Sequence, residues 1–256
     1  MKDNPQERLQ QALALAQARM GETGDTARIG TLAEKTLHAA LKFYIEPDPA
    51  YHEVPYLGFV ADVRNERGVF EIQTRSFDRL RRKLDVFLAA GPVTLVCPLP
   101  HVKYLYWLDG ETGEVSRRRK SPLTGQPWHL FRELDRIREQ LGHPHLTLLI
   151  LLLDLDEYRN LDGWSRDRKR GSSRLERIPL ALHREVWLRE KEDWLQLIPP
   201  GLPPEFTRAQ LQKAGRLSER QAAAGLRVLT GRGLIEVCGK QGRAYLYRLL
   251  EQKNKL

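Results

Sequence analysis

Residues 60–75 read VADVRNERGVFEIQTR and place two carboxylates, Asp62 and Glu71, on either side of a turn signal. With the turn centred on Glu66 and Arg67, Asn65 pairs with Gly68, Arg64 with Val69, Val63 with Phe70 and Asp62 with Glu71. By the two-residue period of a strand, Asp62, Glu71 and Gln73 share one face, while Ala61, Val63, Phe70 and Ile72 share the other. Like charges directly opposite one another destabilise a ladder by about 0.2–1 kcal/mol. A divalent cation removes that penalty. Two carboxylates with a backbone carbonyl are hard oxygen ligands that suit Mg2+ or Mn2+, an ion that keeps several waters and binds a substrate phosphate besides. The pair therefore reads either as a cation site or as a charged hairpin on the wet face of an antiparallel sheet.

The elements that must position the pair follow from a change of period. In residues 28–45, RIGTLAEKTLHAALKFYI, apolar side chains at Ile29, Leu32, Ala33, Leu37, Ala40, Leu41 and Tyr44 recur at helical spacing, and the pattern stops at Pro47 and Pro49. HEVPYL, GFVADVRN and GVFEIQT then read as three meandering strands. SFDRLRRKLDVFLAAG reads as a helix with Ser76 as N-cap and Gly91 past its end, and PVTLVCPL and VKYLYWLD as two further strands. This αβββαβ order predicts an α/β (α+β) layer of helices on a mixed sheet. Before it, residues 1–27 offer a modest helix ending near Gly21. After it come a basic loop at 111–128, an amphipathic helix in HLFRELDRIREQLG, a buried strand at 146–153 and an exposed cationic loop at 154–177.

A helix bearing Glu, a strand Asp, Glu-x-Lys on the next strand, then a helix and a strand form the signature of the PD-(D/E)XK nucleases, the restriction-endonuclease-like superfamily. Residues 28–109 resemble it, with Glu34 similar to the helix Glu, Asp62 to the metal-binding Asp and Glu71 to the first residue of Glu-x-Lys. The resemblance implies hydrolysis of a DNA phosphodiester with Mg2+ or Mn2+ held by Asp62 and Glu71, and with Glu34 orienting the cluster. Gln73 departs from the pattern: it stands where the family has the Lys that positions the attacking water. Arg75, Arg79, Arg82 and Lys83 follow it as candidates to hold the scissile phosphate.

The C-terminal stretch carries dense helix signals. Thr207 and Ser218 each stand three residues before a Gln, Gln210 and Gln221, the spacing of a capping box, and Phe206 with Leu211 suits a hydrophobic staple. Two helices therefore start at 207 and 218, joined by a short link containing Gly215, and IEVC and RAYLYR flank Gly239-Lys240-Gln241-Gly242 as a hairpin. With an earlier helix near DWLQLI, roughly the last sixty residues resemble a winged helix-turn-helix. In a recognition helix Ser218, Arg220, Gln221 and Arg227 would reach bases or phosphates, and Lys240 and Arg243 would belong to the wing. The other reading of the same arginines is a solvated helix face on a packing or dimerisation module.

The chain has 256 residues, 41% hydrophobic, enough for one large domain or two ordinary ones, and a formal charge of +9. Residues 203–256 hold eleven Lys and Arg against four Asp and Glu, so the basicity is concentrated there and double-stranded DNA is the expected partner. A homodimer, or a partner protein from the same system, is a further expectation. Cys97 and Cys238 match no metal spacing, and His143 with His145 fit a turn better than a ligand pair. The first residues lack a signal-peptide core, and the longest apolar run, 146–153, is short of the ~20 residues of a membrane span, so a cytoplasmic protein is expected. The expected organisation is a helix at 1–27, a restriction-endonuclease-like domain at 28–180 and a linker helix with winged helix at 181–256. The functional expectation is a metal-dependent DNA endonuclease. Its alternative is a catalytically inactive nuclease-fold DNA-binding protein or regulator.

Overall fold

The computed structural model describes residues 4–22, 35–110, 112–164 and 170–250. These residues fall into two compact units, each assembled from three stretches of chain.

The first unit takes residues 1–72, 98–125 and 151–185. Helix α1 (Pro5–Glu22) buries Leu9, Ala12 and Ala16, and α2 (Lys35–Ile45) buries Leu37, Ala40, Leu41 and Tyr44, one face in each case. Strands β1 (His52–Tyr56), β2 (Phe59–Asn65) and β3 (Gly68–Ile72) form the expected antiparallel meander. Leu57 and Gly58 both have positive φ, 50° and 81°, which gives the β1–β2 hairpin the tight two-residue turn whose twist matches the strands. The β2–β3 register is the one read from the sequence: Val63 opposite Phe70, Arg64 opposite Val69 and Asn65 opposite Gly68. Ala61, Val63, Phe70 and Ile72 are buried.

Strand β4 (Val93–Leu108) is one strand of 16 residues where two were expected. Pro98 and Pro100 do not break it, since a proline holds an extended φ and only withholds a ladder donor. Next to them the ladder is interrupted anyway, because the Val102 N–H goes to the side chain of Asp154 at 3.0 Å. A short β5 (Arg119–Lys120) pairs with β4. Of the expected exposed loop at 154–177, residues 154–164 and 170–177 instead belong to two long strands, β6 (Leu146–Trp164) and β7 (Arg170–Leu188), and residues 165–169 lie outside the described residues. Polar residues on both faces give this stretch the composition of a loop, yet they pair across the sheet: Asp156 with Arg118 at 3.0 Å on one face, Glu157 with arginines on the other. The sheet order is β1-β2-β3-β4-β6-β7, and β4, β6 and β7 contribute residues to both units.

The second unit takes residues 73–97, 126–150 and 186–256. A 3-10 turn (Phe77–Leu80) leads into α3 (Arg81–Ala90). Ser76 adopts a positive φ of 59°, outside the extended region of a capping residue, and makes no side-chain cap; the Arg79 N–H goes to the Ser76 carbonyl at 3.0 Å, and the Phe77 N–H to the Glu133 carboxylate at 3.1 Å. The helix expected in HLFRELDRIREQLG reduces to a 3-10 turn (Pro127–Leu130) and α4 (Phe131–Arg136), and the one near DWLQLI to a 3-10 turn (Lys191–Leu197). Strand β8 (Glu205–Thr207), α5 (Arg208–Gly215), α6 (Glu219–Gly231), β9 (Ile235–Gln241) and β10 (Ala244–Leu249) complete the unit, with sheet order β8-β10-β9. Both capping boxes form, Thr207 with Gln210 and Ser218 with Gln221, and the staple residues Phe206 and Leu211 are fully buried.

Helix α6 packs on α4 as well as on α5. A Cβ on Gly225 would lie 2.6 Å from Cδ2 of the buried Phe131, so the approach requires glycine. Gly225→Val should cost about 1–3 kcal/mol by overpacking, even though valine favours a helix over glycine. A lower urea midpoint checks this; an unchanged or higher midpoint would mean that the helices separate freely.

Candidate functional site

In the first unit, β2 and β3 bring Asp62 and Glu71 together at the level where the regular ladder stops. Asp62 Oδ2 accepts the Ile72 N–H at 2.7 Å, and Glu71 Oε1 accepts the Asp62 N–H at 3.3 Å. Each carboxylate thus closes a backbone donor on the opposite strand, which offsets part of the repulsion expected from the pairing. Glu71 is only 2% exposed. Helix α2 adds a group that sequence reasoning missed: His38 Nε2 lies 3.3 Å from Asp62 Oδ2. The available signal was position, since His38 follows Glu34 by one helical turn. Glu34 itself lies outside the described residues.

The backbone beside the pair is strained. Glu53, on β1 between the pairs His52–Val63 and Val54–Ala61, has φ 52°. For a residue with a side chain that conformation costs about 1 kcal/mol or more, and such residues cluster at functional sites. Lys42 donates to Glu53 at 2.7 Å and holds its carboxyl below the usual range. Among the described residues no group of three or more His, Cys, Asp or Glu stands in position to hold a metal ion.

A second constellation lies on β6. Glu157 is 0% exposed, and its carboxylate meets Arg159 Nη2 at 2.6 Å, Arg177 Nε at 3.1 Å, Arg174 Nε at 3.5 Å and Lys103 Nζ at 3.6 Å. Burial alone would raise its pKa, but the surrounding cations outweigh burial and bring it down to about 2. On the opposite face of β6, Tyr158 stacks on Tyr106 with ring centroids 4.7 Å apart.

The sequence model of a family described as "Domain of unknown function (DUF8091)" matches residues 35–189, more than half of the chain. The chain belongs to the DUF8091 family. An uncharacterized protein of Treponema pallidum (strain Nichols) is 31% identical over 221 residues, 86% of this chain and 87% of that protein. No solved structure matches. The DUF8091 stretch contains His38, Asp62, Glu71 and the whole Glu157 cluster, whereas α5, α6 and the β9–β10 hairpin lie beyond it.

In the second unit the sequence-derived candidates divide into occupied and exposed side chains. Gln73 folds back on its own segment, its amide donating to the Arg75 carbonyl at 2.5 Å. Arg75 and Arg79 are exposed, and the Lys83 ammonium lies 5.6 Å from the centre of the Phe87 ring. Ser218 and Gln221 are tied to each other: Ser218 N–H donates to Gln221 Oε1 at 2.9 Å and Gln221 N–H to Ser218 Oγ at 3.3 Å. Arg227 forms a bidentate pair with Asp135 of α4, Nε to Oδ1 at 3.0 Å and Nη2 to Oδ2 at 2.5 Å. Arg220, Lys240 and Arg243 are exposed on α6 and the hairpin. An open groove of about 510 Å³ runs between α6 and the hairpin, lined by Arg138, Arg208, Arg227, Leu226, Val237 and Tyr247 among others. Among the described residues no helix is long and apolar enough to cross a membrane.

Proposed function

We propose that this chain hydrolyses phosphodiester bonds in DNA with Mg2+ or Mn2+ at Asp62 and Glu71, and reaches the duplex through a C-terminal winged helix. The observation that carries the reading is the β2–β3 register, which sets the two carboxylates against each other within a meander followed by a helix and a strand. That order is the one the restriction-endonuclease-like resemblance calls for, and the neighbouring order β1-β2-β3-β4 agrees with it. The donor set fits the ion: two carboxylates on adjacent strands are hard oxygen ligands, and Mg2+ needs few of them. When bound, such an ion lowers the pKa of a water and neutralises charge building on the phosphate. The Ile72 N–H fixes the direction of the Asp62 carboxylate, and the His38 imidazole stands beside it, Nε2 3.3 Å from Oδ2. For the C-terminal part, the support is the succession of β8, α5, α6 and the β9–β10 hairpin, together with exposed Arg220, Lys240 and Arg243.

A second reading, a non-catalytic DNA-binding protein or regulator, is favoured by a specific observation. Gln73, in the place of the family's Lys, turns its amide to the Arg75 carbonyl, and the two acids are engaged by backbone amides. Titration with Mn2+, followed by the electron paramagnetic resonance of the free ion, separates the two. Stoichiometric retention by the parent, lost in Glu71→Gln, supports the hydrolytic reading. No retention, with duplex binding intact in EDTA, leaves the second.

A further inference from the structure

The Glu157 cluster holds more positive charge than its carboxylate can neutralise. Oε1 is held by Arg159 at 2.6 Å and faces Lys103 at 3.6 Å, while Oε2 accepts from Arg177 at 3.1 Å with Arg174 at 3.5 Å. Lys103, Arg159 and Arg177 alone exceed the carboxylate by two charges. Glu176, next to Arg177 on β7, points to the opposite face by the two-residue period of a strand and accepts from the Thr36 hydroxyl there. Burial lowers the Lys103 pKa, and the neighbouring arginines add to that effect. Gathering half-buried cations around a single carboxylate costs solvation and mutual repulsion, which an added anion relieves. Access exists: the side chains of Lys103 and Arg159 are 22% and 29% exposed, whereas Arg177, at 8%, is the inner anchor. Guanidinium forks match the oxygens of a phosphate, and an ammonium meets it as a point charge.

We propose that Lys103, Arg159 and Arg177, with Arg174, form a phosphate-binding site on the Glu157 face of β6, taking the phosphate of a polynucleotide backbone or of a free polyphosphate. Glu157 is the fixed counter-charge that assembles the cations and holds them extended. The site uses neither Asp62 nor Glu71 and does not depend on hydrolysis.

The test is run in EDTA on the full chain, so cleavage cannot contribute. A short fluorescent DNA duplex is followed by anisotropy as salt is raised, and tripolyphosphate by thermal shift. The variants are Lys103→Gln and Lys103→Gln with Arg159→Gln; both leave Arg177 on Glu157, and the single variant serves if the double one melts early. If the site takes backbone phosphate, duplex affinity falls roughly fivefold to tenfold for each cation removed, and the salt slope flattens by about one for each. If it takes free polyphosphate, tripolyphosphate raises the Tm of the parent and not of the variants. The proposal is overturned if the parent binds neither probe, or if duplex affinity, salt slope and tripolyphosphate response are all indifferent to the substitutions.

Discussion

Glu157→Gln should lower stability by about 3–5 kcal/mol, because removing one partner of a buried ion cluster leaves its cations together without a counter-charge. For a chain of this size that corresponds to a fall in Tm on the order of 10 °C. The titration of the carboxyl leads to a similar size. The carboxyl titrates at about 2 in the folded chain against an ordinary value of 4.5, a difference of roughly 3 kcal/mol in favour of the folded state. Because the folded value is the lower one, this contribution is complete above the unfolded pKa and is lost as the pH falls from about 4.5 through about 2. The parent should therefore lose stability over that window with a slope that Glu157→Gln lacks. Urea denaturation at several pH values measures both. Equal stability of parent and variant at neutral pH would mean that the cluster is solvated well enough to need no counter-charge.

On the proposed hydrolytic function, Asp62→Asn should remove nearly all metal-dependent hydrolysis while leaving the fold intact. The amide oxygen still accepts the Ile72 N–H that Asp62 Oδ2 receives at 2.7 Å, so no buried donor is orphaned. What is lost is the charge that would hold the proposed ion. Charge stabilisation by a metal is worth several kcal/mol, so the rate should fall on the order of a thousandfold. Duplex affinity in EDTA and Tm should stay near those of the parent. A fall in Tm parallel to the fall in rate would mean that Asp62 serves the hairpin and not a reaction.

The hairpin was legible in the sequence because its signals were local and agreed with one another. Ala61, Val63, Phe70 and Ile72 alternate with polar neighbours, and the turn at Glu66 and Arg67 leaves one register that buries them all. The capping boxes at Thr207 and Ser218 were legible for the same reason, since both partners lie within four residues. What could not be read depends on partners distant in sequence. The stretch 154–177 has a loop's composition until Lys103, on another strand, is placed beside Glu157. Ser76 does not cap because its backbone turns left-handed, in a segment where the Phe77 N–H goes to Glu133, far along the chain. Arg227 was expected to face a ligand, and nothing near it in sequence points to Asp135 or to the close approach of Gly225 to Phe131. At the carboxylate pair, the acids were found by spacing, while the role of the Ile72 N–H and the proximity of His38 needed coordinates.

Hydrolysis of DNA at Asp62 and Glu71, as proposed, is decided by the rate at which the purified chain nicks supercoiled plasmid in Mg2+ or Mn2+ and in EDTA, with Asp62→Asn run beside the parent. Nicking by the parent should require the ion and disappear in the variant. Nicking that persists in Asp62→Asn, or a parent that binds duplex tightly and leaves it uncut in both ions, would contradict the proposal.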